Sequence, residues 1–256
     1  MSIVAATNSE IQNIRKKIYD RRRLFQVQGP AGLSAIESAL GSGLVALYDG
    51  RVGVTSSAGV VSNWSDARGA GFGPALVATG TAQPSYNGTN KLTFDGVDDF
   101  LTCASAYAGF DVSGPCSLFF IGFSTAGLAN FAAIADSASA FRLLSAEGGS
   151  DYNVRAGNPN ISISSTVAPG TTPLLIVVSS ASGTANIDVP NKTRVSGAIT
   201  QCAAGANFLS VGTYSPTGGG FAPCTCYAIG VLSRVATAGD LSALAAYAQV
   251  LGATLQ

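Results

Sequence analysis

The sequence contains no histidine, and several kinds of chemistry are absent with it. A Ser-His-Asp or Cys-His nucleophile, a histidine-ligated metal and an imidazole pH switch are all excluded. Charge is scarce too: 11% of the 256 residues are Asp, Glu, Lys or Arg, against about 25% in an ordinary soluble protein. There is one tryptophan and one methionine. No apolar run approaches the ~18 residues of a membrane span. The N-terminus turns polar at Thr7, so it lacks the apolar stretch of a secretory signal. The expectation is a chain made in a cytoplasm that meets no membrane. Five cysteines (Cys103, Cys116, Cys202, Cys224, Cys226) form no CxxC pair. That spacing excludes a zinc cluster and leaves them as small buried hydrophobes.

What charge there is has been unevenly placed. Residues 1–30 hold Arg15, Lys16, Lys17, Arg21, Arg22 and Arg23 against Glu10 and Asp20, a local net charge of +4. The rest of the chain balances this with −4. A neutral chain with one basic end suggests an interaction arm. The body has no surplus cations for phosphate neutralisation, so nucleic acid is not an expected partner.

Thr7-Asn8-Ser9-Glu10 has the spacing of a capping box, and Ile11, Ile14 and Ile18 follow at helical intervals. Residues 8–25 therefore read as an amphipathic helix with a basic outer face. Gln28-Gly29-Pro30-Ala31-Gly32 breaks the pattern. Ser34-Ala35-Ile36-Glu37 is a second box, opening a short helix with Leu33, Ile36 and Leu40 on one side. The composition then changes. From Leu44 to Ser233 short apolar stretches alternate with Gly-, Pro- and Ser-rich turns, at 44–48, 91–95, 99–103, 117–124, 131–135, 141–145, 152–156, 161–167, 173–180, 184–189, 192–196, 208–213 and 224–233. Strands this short and numerous predict an all-β, two-sheet antiparallel sandwich. The continuous runs Phe119-Phe120-Ile121 and Leu174 to Val178 suit central strands covered on both faces. A helix closes the chain, with Thr237 and Asp240 at its start and Leu241, Leu244, Ala248 and Leu251 along it. The division implied is a helical N-terminal arm, 1–43, for docking and oligomerisation, and a body, 44–256.

Three stretches carry a family resemblance. They are Asn63-Trp64-Ser65-Asp66-Ala67-Arg68-Gly69, Leu92-Thr93-Phe94-Asp95-Gly96-Val97-Asp98-Asp99-Phe100-Leu101, and Ala228 to Arg234 leading into Asp240-Leu241. In that order they resemble concanavalin A-like or laminin-G-like jelly-roll domains of bacterial surface proteins and tailed-phage structural proteins. Leu232-Ser233 stands where that pattern usually has tyrosine-asparagine. The resemblance implies a jelly-roll sandwich in a virion, as a capsid decoration or a tail or fibre component. Its partners would be capsid or tail proteins of the same particle and further copies of itself, reached through Ile11, Ile14, Arg15, Lys16, Lys17, Ile18, Arg21, Arg22 and Arg23. The alternative is a lectin-like module for glycans of a host or cell surface.

The residues leave two local questions open. Asp95, Asp98 and Asp99 either cap a turn around Gly96 or gather oxygens for calcium. Trp64 is either a core plug or a stacking platform for a sugar, with Tyr86, Tyr152 and Tyr214 as the other aromatic glycan candidates. Jelly-roll glycosidases carry Glu-x-Asp-x-x-Glu on one strand, and it does not occur here; nor does GxSxG or a Walker A loop. The expectation is a protein that is not an enzyme, with no catalytic residues, no cofactor and no metal.

Overall fold

The computed structural model describes residues 30–78, 80–124, 130–135, 140–145, 152–156, 161–164, 170–199, 205–213 and 219–255. Every strand pairing in it is antiparallel. One layer runs β1 (Leu44–Asp49), β17 (Pro223–Leu232), β8 (Cys116–Ser124), β13 (Leu174–Ala181), β14 (Thr184–Asp188) and β15 (Val195–Ala198). The other begins with β2 (Val54–Ser57), β3 (Val60–Trp64), β4 (Leu76–Val77), β7 (Leu101–Cys103) and β16 (Phe208–Val211). It continues through β9 (Asn130–Ala135), β10 (Ala140–Ser145), β11 (Tyr152–Ala156) and β12 (Ile161–Ser164). The strands β5 (Ser85–Tyr86) and β6 (Leu92–Asp95) join the layers, β5 pairing β3 and β6 pairing β17. This is the all-β sandwich that the alternation of strands and turns predicts.

The first layer is apolar on both faces, for two different reasons. Leu118, Phe120, Ile176, Val178, Ile229 and Val231 point into the sandwich, against Trp64, Leu76, Leu101 and Leu209. Their neighbours in sequence, Phe119, Ile121, Leu175, Val177 and Ala228, point out, and two helices cover them. Side chains alternate along a strand, so a strand between two cores needs an unbroken apolar run. That is why 117–124 and 174–178 show no polar alternation.

The covering helices are α1 (Leu33–Leu40) and α2 (Ala238–Val250). Thr237 caps α2: its hydroxyl accepts the Asp240 amide at 3.2 Å, and the Asp240 carboxylate accepts the Thr237 amide at 2.7 Å. The box expected at Ser34–Glu37 is not used. α1 starts one residue before Ser34, at Leu33; its N-cap is Gly32, at a left-handed φ of 82°, which has no side chain to cap with. A Cβ on Gly32 would lie 3.1 Å from Val250 Cγ1, so glycine lets the chain turn tightly against α2. Leu33, Ile36 and Leu40 are buried in the outer core. α1 therefore packs in the layer of helices over the first sheet.

The strands β2, β4 and β5 were not anticipated in the sequence, being two to four residues long and partly polar. β15 begins at Val195 rather than 192, because Lys192 closes a turn onto Val189 at 3.1 Å and Arg194 reaches back to Asp188.

Candidate functional site

The turn joining β14 to β15 borders a groove of about 740 Å³ that α2 lines on its other side. Its turn residue Asn191 has a left-handed φ of 61°, a conformation asparagine tolerates well. The hairpin is braced by Arg194, whose Nε and Nη2 donate to the two carboxylate oxygens of Asp188 at 2.7 and 3.0 Å. Asn191, Lys192 and Arg194 line one wall; Ser242, Gln249 and Thr254 line the other, over a floor of Leu241, Ala245 and Leu255. Amides, hydroxyls and an ammonium above apolar ground can bind a polyhydroxylated or carboxylated molecule by hydrogen bonds. The arrangement was not foreseen, because nothing in the sequence brings residues 188–194 beside residues 241–255.

The aromatic glycan candidates do not meet there. Trp64 is fully buried, and its indole N–H donates to the Asp49 carbonyl at 3.1 Å. Its ring meets Tyr48 with centroids 5.7 Å apart, so no face is left for a sugar. Tyr86 is half-buried, its hydroxyl donating to the Gly50 carbonyl at 2.9 Å. Tyr152 lies on β11, where only the backbone is described, and Tyr214 lies outside the described residues. So do all the docking residues, Ile11, Ile14, Arg15, Lys16, Lys17, Ile18, Arg21, Arg22 and Arg23.

The carboxylates of Asp95, Asp98 and Asp99 lie within 4.8 Å of one another. Backbone amides already use two of them. Asp95 Oδ1 accepts the Val97 and Asp98 amides at 2.7 and 3.3 Å, and Asp99 Oδ2 accepts the Asp95 amide at 2.9 Å. The amide of Val97 above all holds the Asp95 carboxyl below the usual carboxylate range, whereas burial pushes Asp99 up. Gly96 takes a φ of 79°, and a Cβ there would lie 2.5 Å from Pro223 Cδ. These contacts are those of a tight capped turn.

Two ion pairs with the same local pattern went unnoticed in the sequence. In Asp49-Gly50-Arg51 and Asp66-Ala67-Arg68 the carboxylate accepts the amide of the arginine two residues on, at 2.8 and 2.9 Å, and is then forked by that arginine's guanidinium. Asp66 also takes the Leu47 amide at 3.1 Å, while Arg68 donates to the Leu44 and Val45 carbonyls at 2.8 and 2.6 Å. Those groups belong to β1, which pairs with β17 on its other side. The Trp-Ser-Asp-Ala-Arg stretch thus closes the open edge of a strand.

No protein-family model matches the sequence, and no curated protein matches it. The fold does have solved counterparts. Trypanosoma rangeli sialidase in complex with the inhibitor DANA shares it at a TM-score of 0.57 and 15% identity, over 90% of this chain and 37% of that one. The same enzyme as a covalent intermediate with 2,3-difluorosialic acid gives 0.55 and 14%, over 80% and 32%. The binding domain of botulinum neurotoxin serotype D gives 0.57 and 9%, over 84% and 52%. This chain therefore spans about a third of the sialidase and about half of the neurotoxin domain. At these identities the likeness is one of fold, an antiparallel β-sandwich. It corrects the expectation that the chain is not an enzyme: the fold is shared with chains that include a sialidase caught as a covalent intermediate, so it gives no ground for excluding catalysis.

Proposed function

We propose that this chain is a structural component of a tailed-phage particle, a jelly-roll sandwich docked through its basic N-terminal segment. The supporting observation is where the cations go. In the body Arg51, Arg68, Arg194 and Arg234 are each bound to an aspartate of the same chain. Charges committed internally contribute little to a partner. The dense cationic run is at residues 15–23, where it suits an acidic capsid or tail surface, with contact weakening as salt rises. The FDG-Val-DD-Phe-Leu resemblance points the same way. Antibody against this chain should decorate sedimented particles in negative stain. A chain found wholly in the non-sedimenting fraction would overturn the reading.

A second reading, carbohydrate recognition, is favoured by the groove between the hairpin and α2. It is further supported by neighbours of like fold, a sialidase in complex with sialic acid and a neurotoxin receptor-binding domain. Lys192 and Asn191 would supply the polar contacts. A glycan array should then show hits that Lys192→Glu abolishes; an array blank for the natural chain would sink this reading. The two readings are compatible, since a particle component can also attach to surface glycans.

A further inference from the structure

Beside α1 and α2 lies a second concavity, of about 270 Å³. Ala35 and Ala39 form one wall, Ala243, Ala246 and Val250 the other, and Ile36 and Tyr247 its base. Val250 is 44% exposed. The surface is almost wholly apolar, and side chains this small leave room for a third helix to approach closely.

The chain itself offers an occupant. Pro30 to Gly32, the described residues before α1, lie at one end of this groove, where Gly32 packs on Val250. Their direction is set there: Arg51 donates to the Ala31 carbonyl at 2.9 Å and to the Val250 carbonyl at 3.5 Å. Between the amphipathic segment 8–25 and α1 are seven residues, Gln26–Gly32, within the usual range of about 2–8 for a connection between antiparallel helices. The lengths also agree. Ile11 to Ile18 and Ala243 to Val250 are both seven-residue steps, about 10 Å on a helix rising ~1.5 Å per residue.

We propose that residues 8–25 fold back as a helix along the groove between α1 and α2, seating Ile11, Ile14 and Ile18 on the alanines. On a wheel of about 100° per residue, Lys16 and Arg23 fall on the opposite side from the isoleucines, while Arg15, Arg21 and Arg22 flank the isoleucine stripe, where long side chains can reach past the groove to water. The helix layer then gains a third member, with Lys16 and Arg23 on its outer face and the other cations along its flanks. This goes beyond particle docking: it says what holds the basic segment in place, whatever surface that segment meets.

The test is a pair of cysteines, Ile14→Cys with Ala246→Cys, in the full chain oxidised at low protein concentration, with each single variant as a control. The expected product is a monomer with an internal crosslink, formed only by the double variant. A crosslinked dimer would assign the groove to the segment of another copy and overturn the proposal. So would the absence of any crosslink while both introduced thiols remain titratable. Hydrogen exchange provides a second reading that needs no cysteine. Amides of residues 11–18 should be protected in the natural chain and lose that protection in Ala246→Glu, and fast exchange in both would also overturn it. Particle sedimentation is a separate measurement, so failure here is distinguishable from failure of the docking reading.

Discussion

Tyr247, on α2, donates its hydroxyl to the carboxylate of Asp49 at the end of β1, 198 residues earlier in the chain. Asp49 is fully buried and is also forked by Arg51, whose guanidinium lies 5.6 Å from the Tyr247 ring centroid. Burial, reinforced by the charge of Asp49, pushes the Tyr247 phenol well above its ordinary value, so it stays a donor at any ordinary pH. This link ties the helix layer to the sheet, beside the Arg51 bonds to the Ala31 and Val250 carbonyls and the Arg234–Asp240 pair. Tyr247→Phe should lower the unfolding free energy by about 1.5–3 kcal/mol, the worth of a hydrogen bond to a charged group. Asp49→Ala should cost more, about 3–5 kcal/mol, because it strands Arg51 as well. Denaturant titration gives both values, and a Tyr247→Phe variant as stable as the natural chain would remove the link's importance.

Ile176 lies in β13 opposite Phe120 of β8 and is fully buried in the core between the layers. Ile176→Asp should abolish folding. An unpaired buried carboxylate costs several kcal/mol, comparable to the ~5–15 kcal/mol total stability of a domain. A soluble variant with a cooperative melt would contradict the placement of β13 at the centre.

Asp240 gives a pH signature. Its hydrogen bonds from Arg234, and then those from Thr237, hold its carboxyl down to about 2. A carboxylate depressed on folding stabilises fully above its unfolded pKa of about 3.9, and that contribution is lost as pH falls through the folded value. The melting-temperature gap between the natural chain and Asp240→Asn should be constant above about pH 5 and should shrink between about pH 4 and 2. A gap unchanged to pH 2 would show that the ion pair does not stabilise the fold.

Cys103, Cys116, Cys224 and Cys226 are buried. Burial raises the thiols of Cys103, Cys224 and Cys226, which keeps them protonated and unreactive at neutral pH. Ellman's reagent should find at most one fast thiol in the native chain, Cys202, and all five after denaturation. Two or more fast native thiols would contradict this packing.

The sequence revealed what depends on local pattern. Central strands 117–124 and 173–180 were legible because burial on both faces requires an unbroken apolar run, and the start of α2 because Thr237 and Asp240 are three apart. Contacts distant in sequence were not legible. The Asp188–Arg194 brace is local, yet the groove it supports needs α2, some fifty residues later. A lone tryptophan beside a turn reads first as a core plug and second as a platform, and the full burial of Trp64 with its hydrogen bond to the Asp49 carbonyl decides for the plug. The repeated Asp-x-Arg spacing was visible at 49–51 and 66–68. Without the fold, nothing distinguished it from ordinary surface charge.

The second of these pairs leads to the most specific prediction. Arg68 and Asp66 have side chains 9% and 1% exposed, and together they engage the amide of Leu47 and the carbonyls of Leu44 and Val45 along β1. The backbone reinforces the cover, since the Ala67 amide donates to the Leu47 carbonyl at 2.7 Å. Removing Arg68 has two effects. It leaves a buried carboxylate without its cation, costing about 3–5 kcal/mol, and it frees two strand carbonyls to accept from another chain. Arg68→Ala should therefore melt lower and self-associate, the association growing with concentration in light scattering. Arg68→Lys should restore little, because an ammonium cannot reach Asp66 and two carbonyls in the geometry that a planar guanidinium provides. A variant that melts lower yet associates no more than the natural chain would leave the ion pair its stabilising role and refute the edge-covering one.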